Sequence, residues 1–449
     1  MANEFRFSKG TAPQEWQEWS DWLTLALDSP TRWRLPFVFL GLLFARGRRT
    51  VTSWLRAQNI TDDYDDYYYF LRCLGCKIKS VATSLFLLLL KQLPIGDRVL
   101  LAIDDTPTPR YGPCVEGAGL HHNPTSGIDD HEFLYGHVWV TLALVLRHPL
   151  WHVIGFPLRA LLYVKKKDFP KLANRCHWEF RTKLELAGEM VQWAAELLHP
   201  LGKKLWIVMD GAYAYRSMFR AVLPLGVTIV SRLRKDAGLR SVPLPRRPGE
   251  RGGKRIYGKE KISLAKRAAH RQGWQSIEVT LYGGVRVTKI YKTFLATWTP
   301  IGGVIRVVIV READRWEAFF CSDPDASVAE ILESFADRSA IEQVFHDIKE
   351  IWGAGQQQVR NLFSNVACYH LNLWMHTLVE LWAWHLPADE IRDRRASPWD
   401  SADRRPSHAD RRKALCRQCL QNELSRLHDS YHISKDLQKL LQTLTALAT

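Results

Sequence analysis

The sequence has no apolar run long enough to cross a membrane. Its longest apolar stretches are LPFVFLGLLFA at 35–45 and SLFLLLL at 84–90, and both fall short of the roughly 18–20 residues that a spanning helix needs. The first ten residues, MANEFRFSKG, lack the apolar segment of a secretory signal. We therefore expect a cytoplasmic protein without a membrane partner.

Cysteine is scarce and follows no standard zinc pattern. The eight cysteines of a cytosolic chain are expected to stay reduced. Two Cys-x-x-Cys pairs, at 73–76 and 416–419, lie far apart within helix-like segments, which favours buried structural thiols over a zinc site. Cys114 and three histidines at 121–131 match no zinc spacing, so we interpret them as an ordered polar loop.

Acidic residues are outnumbered by basic ones, 47 against 62, which gives a net charge of +15. The excess is concentrated in the segment 232–271, where fourteen Lys and Arg residues stand against three acids. Because glycine and proline are interspersed among them, we expect this basic segment to be an exposed strap along a polyanion rather than a packed helix. The alternative is a surface that only keeps the protein soluble.

The middle of the chain predicts a sheet flanked by helices. Strands are predicted at 98–105, 137–146, 152–164, 205–210 and 226–233, with helices at 174–198 and 214–223 among them. A strand-rich insertion at 233–321 follows, with a hairpin at 276–291 and strands at 304–310 and 316–320. The sequence therefore predicts an α/β protein.

Both ends of the chain are predicted to be helical. Within 1–96, the segments on either side of RGRR at 46–49 predict two helices, the second capped by Thr50 or Thr52. They fit either a helix-turn-helix DNA reader or a plain helical bundle. Beyond 352 a helical segment runs to about 386, and the charged stretch 390–413 is expected to be an exposed linker before a last helix.

Two predicted strands end in carboxylates, Asp104-Asp105 and Asp210. The carboxyl ends of strands in an open α/β sheet are where functional sites assemble. A buried carboxylate is costly without a partner, so an acid at the end of an apolar strand suggests a function. The alternative is that each aspartate only caps the turn that follows.

The stretch FADRSAIEQVFHDIKE at 335–350 predicts an amphipathic helix with a third candidate acid. A rotation of about 100° per residue places Phe335, Arg338, Glu342 and Lys349 within an arc of roughly 60°. The other central acids, at 337 and 347, point away from that stripe. The stripe alone is equally consistent with a solvated face that carries ordinary ion pairs.

Three convergent carboxylates would offer the oxygen ligands that Mg²⁺ or Mn²⁺ prefers. Two such ions can support an in-line phosphoryl transfer. The sequence has no glycine-rich phosphate loop of the kind found in nucleotide hydrolases. Together with the basic segment, these features favour a nuclease or a DNA strand transferase.

The order of these motifs resembles bacterial insertion-sequence transposases of the DDE class, in the cut-and-paste group with a Y-(2)-R-(3)-E-(6)-K signature. The signature reads here Phe335-(2)-Arg338-(3)-Glu342-(6)-Lys349, with Phe in place of Tyr. The resemblance covers roughly 97–385. It implies an RNase H-like mixed sheet flanked by helices, with a strand-rich insertion and helical N- and C-terminal regions.

The resemblance also implies roles for individual residues. LLAIDDTPT resembles the strand of the first catalytic aspartate, where the acid before threonine is the metal ligand, and this assigns Asp105. VMDGAY resembles the second strand and assigns Asp210, and the signature assigns Glu342. Arg338, Lys349 and Phe335 would contact DNA. Trp316, in RWEAFFCSDP, would stack on a flipped base, unless it is an ordinary core aromatic.

The implied function is Mg²⁺-dependent cleavage of double-stranded DNA at transposon terminal inverted repeats, followed by strand transfer into target DNA, with Mn²⁺ as a substitute. A homodimer would join the two ends, and the protein would be associated with the bacterial nucleoid. The implied division is a helical DNA-binding region at 1–96, a catalytic domain at 97–232 and 322–385, the basic insertion at 233–321, and a charged linker with a C-terminal helix at 386–449.

Three other functions remain open from the sequence. A metal-dependent nuclease of the same fold would keep the three acids but lack specific binding to element ends. A domesticated, non-catalytic DNA-binding protein would bind without cutting. A zinc-dependent module is the third alternative, and metal analysis would test it.

Overall fold

The computed structural model describes residues 7–122, 132–172, 178–245, 253, 255–395 and 397–431. The first half of its sheet is built from β1 Arg98–Pro109, β2 Gly119–His122, β3 Phe133–His148, β4 His152–Tyr163, β5 Lys204–Met209 and β6 Thr228–Leu233. The insertion adds β7 Leu239–Arg240, β8 Lys261–Ile262, β9 Gln275–Leu281, β10 Val285–Trp298, β11 Gly303–Arg311 and β12 Trp316–Cys321.

The strands form one mixed sheet. Its order is β2-β3-β1-β5-β6-β12-β11-β10-β7-β8, with β4 paired to β3 and β9 paired to β10. The strands β1, β3 and β4 are antiparallel, whereas β5 and β6 run parallel to β1. Because β12 pairs with β6, the insertion extends the central sheet rather than standing apart from it.

Helices surround this sheet. Those before it are α1 Gln14–Thr24, α2 Ser29–Arg32, α3 Arg34–Phe44, α4 Val51–Ala57, α5 Tyr64–Cys76 and α6 Ile78–Gln92. Those that follow are α7 Lys183–Leu198, α8 Arg216–Val222, α9 Leu264–Ala269, α10 Val328–Asp337, α11 Ser339–Glu350, α12 Leu362–Ala383, α13 Ala388–Ile391 and α14 His408–Tyr431. The prediction of an RNase H-like mixed sheet flanked by helices, with helical ends and a strand-rich insertion, is confirmed.

Side-chain caps set several helix starts. Thr50 caps α4 by accepting a hydrogen bond from the Ser53 backbone, which confirms one of the two predicted caps. Thr182 and Glu185 form a capping box at the start of α7. The helix predicted from 174 therefore begins only at Lys183, and the residues 178–182 before it are not helical.

Two further boundaries differ from the predictions. The turn at Arg338 divides the predicted helix 335–350 into the end of α10 and the whole of α11. The linker predicted to extend to 413 ends earlier, because α14 begins at His408. It is also less exposed than expected, since Asp393 and Asp410 are buried and ion-paired with basic side chains. The short strand β2 was not predicted.

The long helix α12 connects the N-terminal helices to the sheet. It is buried along nearly its whole length and packs against α5, α6 and β4. Gly75 of α5 lies so close to α12 that an added Cβ would be 2.0 Å from the carbonyl oxygen of Phe363. Within the described residues no single helix is long and apolar enough to span a membrane, although the bent pair α5 and α6 together passes that test.

Gly75→Ala is expected to lower the free energy of unfolding by about 1–3 kcal/mol, because the methyl group would force α5 away from α12. Thermal unfolding measures the effect. Gly96→Ala is the matched control, since no heavy atom lies within 4 Å of the Cβ position there. Equal changes in Tm for the two variants would contradict the tight contact between α5 and α12.

Candidate active site

The carboxyl ends of β1 and β5 bring two acids side by side. Ile103 of β1 is in register with Met209 of β5, so Asp104 lies level with Asp210, which directly follows β5. Burial is the main cause that raises the pKa of Asp104 to about 6. Arg338 opposes this rise in pKa, while the charges of Asp105 and Asp210 add to it. A cation bound here would favour the ionised carboxylates.

Arg338 connects this pair of acids to Glu342. Its Nη1 donates to Asp104 Oδ2 at 2.7 Å, and its Nη2 donates to Glu342 Oε1 at 2.6 Å. The turn between α10 and α11 places the guanidinium there, one helical turn before Glu342. The Glu342 side chain is 55% exposed, whereas that of Asp104 is 22% exposed. Arg338 therefore bonds to two acids at once, of which Asp104 is the more buried and Glu342 the more exposed.

Asp105 lies on the other face of β1, since consecutive strand residues point to opposite faces. Its Oδ2 accepts a hydrogen bond from Lys183 Nζ of α7, and its Oδ1 accepts one from the Tyr213 hydroxyl, both at 2.6 Å. Burial, followed by the charge of Asp105, raises the pKa of Tyr213 well above its usual value. The hydroxyl thus stays protonated and donates, and both Asp105 oxygens are already engaged within the protein.

Phe335 lies beside Arg338 at the end of α10. Its ring is 5.6 Å from the Arg338 guanidinium and 5.6 Å from that of Arg232, and it packs on Phe319 at 4.8 Å. These side chains line a groove of about 270 Å³ that also reaches Glu342. The groove offers aromatic faces and cations next to the acids.

The other two predicted DNA contacts lie apart from Arg338. Trp316 precedes Glu317 on β12 and therefore points to the face opposite the groove, which Glu317 lines. Lys235 Nζ lies 5.2 Å from the Trp316 ring centre. Lys349 is near the end of α11, about 10 Å along the helix axis from Glu342. Burial lowers the pKa of Lys349.

A family comparison identifies the chain. Residues 25–288, more than half of its length, match the sequence model described as DDE superfamily endonuclease. The chain belongs to this family. No curated protein matches the sequence. The prediction of a DDE-type transposase is confirmed at the family level, but the match ends before Phe335, so the four-residue signature stays a prediction.

Enzymes of the DDE superfamily typically use divalent metal ions and act on DNA. Asp104, Asp210 and Glu342 carry carboxylate oxygens, which are the kind of donor that Mg²⁺ prefers. The Arg338 guanidinium lies between Asp104 and Glu342 and keeps their carboxylates apart. Within the described residues, the group with ligand atoms all within 4.8 Å of one another is instead the buried set Asp347, His376 and His408.

The basic segment of the endonuclease is exposed where the structure describes it. All of its described Lys and Arg side chains are exposed except Arg240, which is half-buried. They lie at the end of β6, on β7, β8 and the short helix α9, and in the loops between and after these elements. The expected strap thus includes regular elements, and it presents a cationic surface on the insertion.

The cysteine predictions are confirmed only in part. Cys416 and Cys419 are buried in α14, as expected for structural thiols, whereas Cys76 of the first pair is exposed. That expectation is wrong for Cys76 because it lies on the outer side of α5. His121 lies on β2 rather than in a loop, and His131 of the same group lies outside the described residues.

Two residues of the site were not predicted from the sequence. Lys183 carries no motif, since it is the first residue of α7 and meets Asp105 only through the fold. Tyr213 lies within VMDGAY, but nothing in that motif indicates that its hydroxyl bonds to β1. Both contacts join segments that are distant in the sequence.

Proposed function

We propose that this endonuclease is a transposase that cleaves DNA at the ends of a mobile element and joins the 3′ ends to a target. The observation that carries the proposal is the placement of Asp104 level with Asp210, with Arg338 connecting Asp104 to Glu342. The exposed basic segment supports a polyanionic substrate. Mg²⁺ is the proposed metal, with Mn²⁺ as its substitute.

Asp210 and Glu342 are two of the proposed metal ligands. The third is an aspartate of β1. The sequence resemblance assigns that role to Asp105, whereas the geometry supports Asp104, which faces Glu342. These carboxylates would hold a divalent ion, which would supply the charge that activates a water or a 3′-hydroxyl and stabilises the leaving oxygen. The groove beside Phe335 would accommodate the DNA strand next to these carboxylates.

The cations of the site are proposed to bind the DNA backbone. Arg338 would release one carboxylate and bind a phosphate with its planar fork, and Lys349 would act as a point charge further along α11. Phe335 keeps Arg338 in place by cation–π contact at 5.6 Å. Trp316 is proposed to stack on a base from the outer face of β12.

Binding to terminal inverted repeats is proposed for the helical region at 1–96, with the basic insertion at 233–321 along the flanking duplex. The proposed catalytic parts are 97–232 and 322–385, and 386–449 is proposed to be a charged linker with a C-terminal helix. A homodimer would hold two element ends together, and nucleoid association would follow from the charge of the protein. A helix-turn-helix reader remains a proposal for α3 and α4, whose buried Trp54 packs close to Gly41.

The experiment is to incubate the full chain with Mg²⁺, a fragment that carries the element's ends, and a target plasmid. A transposase protects the terminal repeats from footprinting reagents and yields covalently joined 3′ ends. A nuclease of the same family, which the family description also supports, cuts without joining and without protection at the ends. Protection of the ends without cutting would indicate a non-catalytic DNA-binding protein.

A further inference from the structure

A second group of ionisable side chains lies buried behind α11, away from Glu342. Asp347 of α11, His376 and Glu380 of α12, and His408 at the start of α14 are each at most 5% exposed. Charged and imidazole side chains are seldom buried to this extent unless they are paired or bind a metal. The group joins three helices at one point.

The group has nearly the spacing of a metal site. One ligand atom from each of Asp347, His376 and His408 lies within 4.8 Å of the other two. Metal–ligand bonds of about 2.0–2.2 Å place neighbouring ligand atoms roughly 3.4 Å apart in a tetrahedral site. The side chains therefore need to approach one another by little more than an ångström.

One ring nitrogen of His408 has the carboxylate partner that is typical of a metal-ligating histidine. Its Nδ1 lies 2.6 Å from Glu380 Oε1, which also accepts a hydrogen bond from Arg411 at 2.8 Å. Burial raises the pKa of Glu380, but Arg411 and then His408 outweigh this and lower it to about 2. An ionised carboxylate on Nδ1 leaves the lone pair on Nε2, the arrangement that supports histidine ligands in metal sites. That lone pair now accepts the indole N–H of Trp352 at 2.8 Å.

His376 and Glu380 each keep a polar atom that finds no hydrogen-bond partner within the described residues. These atoms are His376 Nδ1 and Glu380 Oε2, and an unmet buried polar group costs about 1–3 kcal/mol. His376 Nε2 is 3.5 Å from Asp347 Oδ2, a weak contact. The His376 ring is stacked on His408 at 4.0 Å, so it must turn to share an ion, and turning exchanges the stacking and the weak contact with Asp347 for a bond to the metal.

We propose that Asp347, His376 and His408 bind a transition-metal ion of the Zn²⁺ class, with Glu380 as the residue that orients His408. Imidazole nitrogens select such ions, whereas the oxygen donors around Glu342 suit Mg²⁺. Arg411 balances the charge of Glu380, which leaves the Asp347 carboxylate to balance the cation. A groove of about 350 Å³, lined by His346, Arg405 and the cluster itself, gives access from solvent.

The bound ion would have a structural role for the catalytic helix. Asp347 lies on α11, the helix that carries Glu342, so a metal that joins α11 to α12 and α14 fixes the direction in which Glu342 points. This inference does not rest on the DNA-cleaving function, because it concerns only side chains inside the protein. Its test therefore uses metal binding and stability as readouts.

The experiment loads the purified full chain with Co²⁺ or Zn²⁺, removes loose ions by dialysis, and measures metal content, Co²⁺ absorption and Tm. We expect the wild type to retain about one equivalent and to gain in Tm by several degrees. His376→Ala and Asp347→Asn should lose both effects. His199→Ala is the control, because His199 is exposed and lies between α7 and β5, outside the three helices of the cluster, and it should keep both.

Three results would overturn the proposal. The first is a wild-type chain that retains no Co²⁺ or Zn²⁺ and shows no change in Tm, which would leave a purely hydrogen-bonded cluster. The second is full retention by His376→Ala and Asp347→Asn. The third is loss of the ion in Glu342→Gln, which would place it at the active site instead. The wild-type Co²⁺ spectrum decides the question even if a cluster variant fails to fold.

Discussion

Asp104→Asn is expected to lower both Mn²⁺ affinity and the rate of DNA cleavage by more than about 100-fold. Changes to residues that only support a metal ligand already cost about 10–100-fold, and loss of a ligand costs more. Asp104 lies level with Asp210 and bonds to the arginine that holds Glu342. Mn²⁺ binding followed by electron paramagnetic resonance, beside a cleavage assay, measures the effect.

Asp105→Asn is the matched variant, one residue along the same strand. It should keep most of the Mn²⁺ affinity, because Asp105 bonds Lys183 and Tyr213 on the other face. It should instead lower Tm, since Lys183 loses its ionic partner. If Asp105→Asn abolished Mn²⁺ binding and Asp104→Asn did not, the assignment that the sequence motif favours would be right and the geometric assignment wrong.

Arg338→Ala is expected to affect metal binding and cleavage in opposite directions. Without DNA, Mn²⁺ should bind about tenfold more tightly or better, because a unit charge 4 Å away contributes up to about 4 kcal/mol at an effective dielectric of 20. Cleavage should nevertheless fall by about 10²–10³-fold, as expected when a preorganised donor to the reacting phosphate is lost. Titration with Mn²⁺ and single-turnover cleavage measure the two effects.

Arg338→Lys separates charge from geometry at the same position. Lysine keeps the positive charge but cannot bond two carboxylates with one planar group. Its Mn²⁺ affinity should stay near that of the wild type, while cleavage remains impaired. Weaker Mn²⁺ binding by Arg338→Ala than by the wild type would show that the arginine holds the carboxylates in place for the metal rather than competing with it.

The sheet was predictable because its central strands are short apolar runs with clear ends. RVLLAIDD, LWIVMD and GVTIVSRL correspond to β1, β5 and β6, and the hairpin about Gly283 corresponds to β9 and β10. Helix starts were less predictable, since they depend on caps. The capping box of Thr182 fixes the start of α7 well inside a segment whose apolar spacing looks helical throughout.

The sequence allowed the types of residue in the site to be predicted. It did not show from which face of β1 the catalytic aspartate points. Both faces of β1 are apolar before its two acids, so periodicity cannot tell Asp104 from Asp105. The distinction needs the register with β5 and the side on which α11 packs, which are long-range features. The Asp347, His376 and His408 group likewise comes from three helices with no motif spacing between them.

The central claim is that this DDE endonuclease cuts DNA with carboxylates held by β1, β5 and α11. The most direct measurement is Mg²⁺-dependent cleavage of DNA that carries the element's own ends, comparing Glu342→Gln with the wild type at equal folded concentration. Glu350→Gln, the same change at the exposed end of α11, is the control. We predict that the wild type and Glu350→Gln cut at the element boundary, while Glu342→Gln binds the ends but does not cut. Cleavage by Glu342→Gln at the wild-type rate would contradict the account.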